Sequence, residues 1–567
     1  MSYNENSYTV SGDGDAIHSS LVGWYSERTS INEDLMSKEQ IEARVLELYK
    51  NNDTMRSLID KHVDAIVGSK VSLESLIDYE ALNISREDAV QWSKTVESEF
   101  NNYAHSPENW ISATRSMSFT ELMRACAKQE IMTGEVFVAK EWYQSPLGYK
   151  TCFNVISSHR VKSPVEYNGT IQDASKVFHG IQLDKRGAAR GYYVTMSEVQ
   201  SRLETGIEIY DTQSKSKLVP RYRQGWPVMF HVYEPFLPEY PRGISKLASI
   251  LMKTKQVERF IEADLTKAIL GAQAVFAVTS NETADSVANI LSGIDHGDED
   301  SWSFDDEHEI PQHQLDKKNE WLKNYHTNKH VKLVHGGTLV HMFDGEKMEM
   351  VAGLTDAKSG IDYVKSHNKA IIAGASGSYE AVTGDMSGLS FAGGQMSLGI
   401  NEFSNNIKRE VYIYKLAKLM FRSWLDEAMD RETSPIKELR DRDGNVVSYW
   451  QNRDRYGKCR FTGVKRIYAD VVKQNRANKL SLGNVTSSYS DIAHGNGEDF
   501  DTIIRNRSND AGKIVEAIRA ECEAKDIELS DEAAANIITS IIGPSGFSDL
   551  DAFAGGSEEI ESNTDED

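Results

Sequence analysis

The chain has 567 residues, a mass of 63.6 kDa and a formal net charge of -23 at pH 7. At about 150 residues per domain this length predicts three or four folded units, and 40% hydrophobic residues with a mean hydropathy of -0.49 are typical of soluble globular proteins. The negative charge argues against conventional DNA binding through clustered Lys and Arg. Four scattered cysteines, none in a Cys-x-x-Cys pair, argue against a zinc or redox motif.

No membrane partner is expected from the sequence. The longest apolar stretch, Ala268 to Val278, is interrupted by Gly271 and Gln273 and is far shorter than the ~20 residues that span a bilayer. The first residues, Met1 to Asn6, lack a basic end followed by an apolar run, so no secretory signal is expected. These patterns predict synthesis in the cytoplasm.

The first half of the chain predicts a polar arm followed by an α+β unit. Residues 1–40 are rich in Ser, Asn and Asp and predict a flexible arm. Apolar residues at helical spacing from Ile41 to Val71 predict a pair of helices that stops at Gly68, and a further helix is predicted from Phe119 to Met132, closing at Gly134. Short β-branched and aromatic runs then predict strands up to about residue 235.

A long helix is predicted next, from Ile244 to about Gln273, with apolar positions on two faces. Residues 274–355 predict a small inserted module with strands at 331–334 and 338–341, and a second helix is predicted over 356–373.

Residues 374–399 are Gly-rich and nearly uncharged, and they predict a flexible surface loop because glycine disfavours both helix nucleation and a fixed strand register. A helix without Pro or Gly is predicted over 400–430. Its apolar residues recur at three- and four-residue steps, a spacing that predicts a face buried in a core. These residues are Ile400, Phe403, Ile407, Val411 and Tyr414.

The end of the chain predicts a strand at Arg460 to Thr462 and helices at Val464 to Leu480 and Asp510 to Ala524. The acidic residues from Ser557 onward predict disorder in the terminal segment 546–567.

No catalytic group of residues is found. A Walker-type phosphate loop is absent, and His308 and His313 are five residues apart with Pro311 between them, which does not suit a zinc peptidase. The acidic run from Asp295 to Glu309 is weighed as a divalent-cation site, but it lacks the ligand order of a calcium loop, so a solvated acidic loop is favoured. No cofactor, metal or enzymatic activity is predicted.

A series of short motifs resembles the lambda-type portal proteins of tailed bacteriophages. The most specific run joins His231, Glu234 and Pro235 to Arg242 and Gly243 at the start of the long helix. Further matching segments occur in the same order along the chain. They are Asn51-Asn52, Ala65 to Gly68, Glu130 to Phe137, Ile156 to Pro164, Gly180 to Asp184, Gly191 to Val194, Gly345-Glu346 in the turn before the second long helix, and Gly497 to Phe500.

The resemblance implies a portal fold and a place for each predicted segment. A wing would comprise 41–243, with its remainder at 431–475. Stem helices would lie at 244–273 and 356–373, with a clip at 274–355 between them. The Gly-rich residues 374–399 would be a tunnel loop, followed by the long helix 400–430, and 476–545 would form a helical crown.

The resemblance also implies a ring, usually of twelve subunits, at one capsid vertex. Double-stranded DNA would pass through it without sequence-specific contacts during packaging and ejection. The implied partners are the large terminase subunit, the major capsid and scaffolding proteins, and the head-completion and tail connector proteins. The implied location is the virion, after synthesis in the host cytoplasm.

Two sets of residues are candidates for the channel surface. On the first stem helix, Lys246, Lys253 and Lys267 are candidates for weak phosphate contacts, and pairing with Glu258, Glu262 or Asp264 is an equally open alternative. The tunnel-loop set is Ser376, Ser378, Tyr379, Asp385, Met386, Ser390, Phe391, Gly393 and Gln395.

The alternative function is a metal-dependent phage assembly nuclease or peptidase that uses the acidic segment 295–309. A capsid scaffold or tail-tube subunit, which would form shells or helical tubes instead of closed rings, is a third hypothesis.

Overall fold

A computed structural model of the chain describes residues 31–164, 177–196, 216–272, 276–280, 346–350, 357–387, 390–464, 471–523 and 534. The chain divides into two compact units, one made of Met1–Leu251 with Ile372–Asp567 and the other of Met252–Ile371. Among the described helices, none combines the length and the apolar composition that crossing a bilayer requires.

Three N-terminal helices open the larger unit: α1 (Ile31–Met36), α2 (Lys38–Asn51) and α3 (Asp53–Val67). The side chain of Asn52 accepts a hydrogen bond from the Met55 amide at 2.8 Å and starts α3. The prediction of a flexible arm over 1–40 is wrong for its last ten residues, because α1 and the start of α2 lie there. Lys38 is only 5% exposed, and its ammonium donates to the carbonyls of Thr133 and Gly243. Contacts that are distant in sequence therefore order a segment whose local composition favours disorder.

Helices α4 (Arg86–Ala104) and α5 (Phe119–Thr133) build the main aromatic core. Ser118 and Glu121 form a capping box at the start of α5, and Gly134 ends it in the left-handed conformation, as the sequence predicts. Helix α4, which was not predicted, places the Phe100 ring edge-on against Phe119, Phe421 and Trp424, with centroids 5.2–5.5 Å apart.

Two antiparallel sheets follow, the first of which packs against α5. The first contains β2 (Glu135–Trp142), β3 (Thr151–Ile156) and β10 (Met229–Tyr233) in the order β10-β2-β3. The second contains β4 (Val177–Phe178), β5 (Ile181–Leu183), β6 (Ala189–Val194) and β7 (Lys217–Pro220) in sequential order. A buried cluster that includes Phe137, Val161, Ile181, Tyr192 and Met229 joins residues of both sheets. A small hairpin follows β7, formed by β8 (Tyr222–Arg223) and β9 (Trp226–Pro227).

The smaller unit contains helix α6 (Leu251–Ala272), the paired strands β11 (Phe276–Ser280) and β12 (Glu346–Met350), and most of α7 (Ala357–Gly374). The rings of Phe260 and Tyr363 pack between the two helices with centroids 4.6 Å apart. The long helix predicted from Ile244 begins instead with a 3-10 segment, Lys246–Ile250. Glu346, assigned to a turn by resemblance, begins β12. The predicted strands at 331–334 and 338–341 and the acidic run 295–309 lie outside the described residues.

The Gly-rich segment contains two helices, α8 (Tyr379–Thr383) and α9 (Phe391–Lys408). The prediction of a continuous loop over 374–399 is therefore wrong. Each helical glycine costs about 1 kcal/mol relative to alanine, but Ser390 caps α9 by accepting a hydrogen bond from the Gly393 amide at 3.1 Å. A π turn, Arg409–Ile413, joins α9 to α10 (Tyr414–Asp430), which ends where the sequence predicts.

The remaining described elements are α11 (Arg453–Tyr456), β13 (Cys459–Thr462), α12 (Val471–Gly483), α13 (Tyr489–Gly495) and α14 (Phe500–Glu523). Strand β13 pairs antiparallel with β1 (Ser72–Ser75), which returns the chain to the N-terminal region. Helix α14 starts ten residues before the predicted Asp510, because Asp499 caps it by accepting a hydrogen bond from the Thr502 amide at 2.9 Å.

We expect the substitution Phe100→Ala to lower the free energy of unfolding by about 3–5 kcal/mol, since it leaves a cavity among three large rings. Denaturant unfolding followed by circular dichroism measures this change. Val90→Ala, on the exposed side of the same helix, is the matched control and should change the free energy of unfolding by no more than about 0.5 kcal/mol. Equal effects of the two substitutions would contradict the assignment of Phe100 to the core.

Candidate functional site

The motif residues meet at one buried carboxylate, that of Glu135 at the start of β2. Glu135 is fully buried, and the Arg242 Nε donates to its two oxygens at 2.9 and 3.0 Å. Its carboxylate also contacts His231 Nε2 at 3.2 Å and the Lys38 ammonium at 3.3 Å, and it accepts from the Gly243 amide at 3.2 Å. This Glu135 cluster explains why Arg242, Gly243 and His231 stand together in the motif.

Opposing influences act on the pKa of Glu135. Burial is the largest single influence and acts to raise this pKa, but Arg242 and Lys38, together with the hydrogen bonds from His231 and Arg242, outweigh burial and hold the pKa well below its usual range. Burial lowers the pKa of His231 despite its contact with Glu135. The cluster is therefore one buried negative charge compensated by Arg242 and Lys38, and removing a partner destabilises the fold.

Two glycines let the backbone approach this cluster closely. A Cβ on Gly243 would lie 2.0 Å from the carbonyl oxygen of Gly134, and a Cβ on Gly134 would lie 2.3 Å from the Ile244 backbone. Gly134 also has a φ of +81°, which side chains rarely adopt. The other motif residues lie next to this contact. Glu234 forms a salt bridge with Lys246 at 2.5 Å, and Pro235 forms an isolated antiparallel β-bridge with Gly243.

We expect Arg242→Met to cost about 3–5 kcal/mol of folding free energy at pH 8, because it leaves the Glu135 charge buried without its main partner. The loss should shrink toward pH 4, since protonation of Glu135 in the variant removes the uncompensated charge. In the native protein the pKa of Glu135 is lowered, so the charged carboxylate stabilises the fold. This stabilisation is present above the ordinary carboxyl pKa and is lost as pH falls through the folded value.

Thermal and denaturant unfolding across this pH range measure the effect. The double variant Glu135→Gln with Arg242→Met should recover part of the loss, while Arg56→Met, which removes an exposed pair with Asp60, should change little. A pH-independent loss in Arg242→Met would contradict the assignment of a buried charge to Glu135.

The first part of the Gly-rich segment packs against α3 of the same chain. Ser57 donates to the Val382 carbonyl at 2.7 Å, and Leu58 contacts Gly377 closely. Ser378 is 8% exposed and bonds to Glu380 and Ser397, each at 2.9 Å. Ser378 is therefore largely buried within this chain, and a place for it at the channel stays a prediction.

Other predicted tunnel residues are placed differently. Ser376 is exposed and has a φ of 61°, Tyr379 begins α8, and Ser390 caps α9. Asp385 and Met386 lie between the two helices, and Met386 is 58% exposed. Phe391, Gly393 and Gln395 belong to the first turns of α9.

Helix α9 carries an exposed apolar stripe, which we call the α9 stripe. It consists of Met396, Ile400, Phe403, Ile407 and, within the π turn, Val411, whose exposed fractions are 70, 64, 69, 47 and 48%. The prediction that this face is buried in the core is wrong for four of its five residues within this chain.

Tyr414, the fifth predicted core residue, is 3% exposed. A π turn takes up one extra residue and rotates the residues that follow by about 100°. Tyr414 is thereby turned toward the core, while the residues before the turn keep facing outward. Arg409 fixes the turn by donating to the carbonyls of Ala65 and Ile66 at the end of α3, at 2.6 and 2.9 Å.

A cavity of about 140 Å³ lies beside the C-terminal end of α9. It is lined by Glu130, Lys246, Lys408 and His62, among others, and His62 Nδ1 contacts Asn405 Oδ1 at 3.1 Å. Burial, followed by the nearby Lys408 charge, lowers the pKa of His62 to about 4. These groups connect α9 to α3 and α5 without forming a recognisable catalytic arrangement.

The three candidate lysines have different surroundings in the structure. Lys246 pairs with Glu234, a partner the sequence analysis did not consider, while Lys253 and Lys267 are exposed along α6. Their contact with DNA stays a prediction.

Comparison with known proteins identifies the class as phage portal proteins. The sequence model of the family described as "Phage portal protein, lambda family" matches residues 18–410, more than half of the chain. The chain therefore belongs to the lambda family of phage portal proteins, and the resemblance found in the sequence is confirmed.

Two relatives match along most of their length. The portal protein of Escherichia phage N15 is 24% identical over 499 residues, covering 87% of this chain and 88% of the relative. Portal protein B of Escherichia phage lambda is 25% identical over 501 residues, covering 87% of each.

Solved structures of similar chains come from gene transfer agent particles. A chain from the neck of an empty particle, computed with C6 symmetry, has a TM-score of 0.39 and 10% identity, covering 79% of this chain and 92% of the other. A chain from the virion of a native particle has a TM-score of 0.38 and 10% identity, with coverages of 83% and 94%.

The family match does not favour the nuclease or peptidase alternative. Its acidic segment, 295–309, lies outside the described residues, and no group of three or more His, Cys, Asp or Glu suited to a metal ion occurs within the part of the chain that the structure describes.

Proposed function

We propose that copies of this portal protein close into a ring, of twelve subunits by resemblance to its family, through which double-stranded DNA is packaged and ejected. The observation that carries the proposal is the α9 stripe. Monomeric proteins rarely expose contiguous apolar surface of this kind, and such patches mark interaction sites. In a ring, the adjacent subunit would cover the α9 stripe of every copy.

The size of the stripe suits a subunit interface. Fully burying one large apolar side chain contributes about 1.5–3 kcal/mol, and five such residues follow one another along four turns of helix. A head-to-tail ring also needs a second, different patch on each subunit. Exposed apolar residues on α6, among them Ile261 and Leu265 at 46% and 58% exposure, are candidates for part of it.

The charge of the chain supports passage of DNA without tight binding. A subunit of charge -23 repeated around a ring repels phosphates, and DNA-binding affinity would otherwise grow with each Lys or Arg that neutralises a phosphate. We propose that the residues between α8 and α9, including the partly exposed Asp385 and the exposed Met386, face the channel, with Lys253 and Lys267 offering weak phosphate contacts.

The proposed partners follow from the family. The clip, within 274–355, would dock the large terminase during packaging and the head-completion and tail connector proteins later. The wing would contact major capsid and scaffolding proteins, so that the ring nucleates the procapsid. The protein would be made in the host cytoplasm and reside at the portal vertex of the virion.

We expect Phe403→Asp to abolish or strongly reduce ring assembly while leaving the subunit folded, because a carboxylate would have to be buried at the interface without a partner. Sedimentation velocity and negative-stain imaging measure the ring fraction, and circular dichroism checks the fold. Asn401→Asp, which adds the same charge on the same helix outside the stripe, is the matched control and should assemble normally. Normal rings from Phe403→Asp would exclude the stripe as the subunit interface.

A deletion of residues 385–387 should leave ring assembly intact and reduce the DNA packaged or retained in particles, since these residues contribute no buried core and lie between two capped helices. Nuclease-protected DNA per particle is the measurement. Ser387→Ala is the control for local perturbation. Unchanged DNA content with the deletion would remove this segment from the channel, without bearing on ring formation.

A further inference from the structure

Helices α13 and α14 dock on β1 and α4 through acidic side chains. His494 of α13 places Nε2 at 3.3 Å from a carboxylate oxygen of Glu74 on β1, a contact that is an ion pair only while the imidazole is protonated. Glu97 of α4 lies beside it and accepts a hydrogen bond from the Ser75 amide at 2.7 Å. The side chains of Glu74 and His494 are 18% and 13% exposed, so this junction is largely shielded from water.

Two further carboxylates face the same junction from the start of α14. Asp499 and Asp501 act electrostatically on both Glu74 and Glu97. A cavity of about 220 Å³ separates the elements. Its lining includes Glu74, Glu97, Asp499 and Asp501.

Positive charges at the junction are fewer and lie at its edges. Arg460 of β13 acts on Glu74, and Lys94 of α4 and Arg505 of α14 line the cavity but are themselves exposed. No salt bridge joins these three residues to the four carboxylates within the described part of the chain. The carboxylates therefore repel one another where the C-terminal helices dock.

Burial is the main cause that raises the pKa of Glu97 to about 7, and the charges of Asp499, Glu74 and Asp501 raise it further, against the lowering effect of the Ser75 amide. Burial likewise raises the pKa of Glu74. Docking of α13 and α14 contributes to both causes, because these helices cover the site and bring Asp499 and Asp501 to it.

We propose that the cluster of Glu74, Glu97, Asp499 and Asp501, with His494, is a proton-sensitive latch that holds α13 and α14 against β1 and α4. The sign follows from linkage: the docked form binds a proton on Glu97 more tightly than the undocked form. Docking is therefore strongest below the ordinary carboxyl pKa and weakens as pH rises through about 7, by at most about tenfold per pH unit for one proton.

Hydrogen exchange of the purified full-length protein tests the latch. Amide protection of residues 489–523 is measured by mass spectrometry from pH 5.5 to 8.5, with correction for the intrinsic exchange rate at each pH. We expect protection of this segment to fall by up to about tenfold between pH 6 and pH 8. Helix α3, which contacts none of the latch residues directly, is the internal reference and should keep its protection.

Three variants separate the latch from a general effect of pH. Glu97→Gln should raise protection above pH 7 and make it depend less on pH, because only the contribution of Glu74 remains. Glu87→Gln, an exposed control on the same helix, should keep the native response. Asp501→Asn should lower the pH midpoint, because one repelling charge is removed. The proposal is overturned by pH-independent protection in the native protein or by a native pH response in Glu97→Gln. Should Glu97→Gln fail to fold, an unmoved midpoint in Asp501→Asn overturns it.

Discussion

The buried carboxylate of Glu135 is the constraint on which the larger unit depends. A charge without access to water is tolerated only when partners surround it, and here they come from segments far apart in sequence. Lys38 belongs to α2, His231 to β10 and Arg242 to the segment before the 3-10 turn. Satisfying one carboxylate therefore fixes the relative positions of a helix, two strands and the start of the chain that leads into α6.

The buried Glu135 carboxylate also explains the two glycines beside it, Gly134 and Gly243. Arg242 reaches Glu135 only because the backbone at Gly243 lies against that of Gly134, at a distance that excludes any Cβ. The motif of the family is thus structural in this region. It joins the start of β2, at Gly134 and Glu135, to the chain segment at Arg242 and Gly243.

Sequence patterns predicted elements whose stability is local. The strand Met229–Tyr233 and the helix from Phe119 were predicted because β-branched and aromatic content, helical spacing and the terminal Gly134 act within a few residues. Helix α1 and the order around Lys38 were missed because they depend on partners about 100 to 200 residues away.

The candidate site shows a second limit of sequence patterns. Periodicity indicated that Ile400 and Phe403 share a face, and they do, but it could not say whether that face meets the same chain or another. Gly393 and Gly394 led to the prediction of a loop where the structure has a helix. Ser390, three residues before Gly393, caps this helix and allows it to begin. The family, by contrast, could be identified from short motifs because their order along the chain was preserved.

The number of residues in the π turn at Arg409–Ile413 determines which face of α9 is exposed. Each residue of an α-helix turns the chain by about 100°. Loss of a single residue here would therefore rotate the exposed apolar side chains of α9 toward the interior and would expose the buried side chains of Lys408 and Arg409. The amino-acid composition of the chain would be almost unchanged, but a different face of α9 would be exposed. Homologues that differ in length at this turn should therefore also differ in which face of the helix carries the exposed apolar side chains.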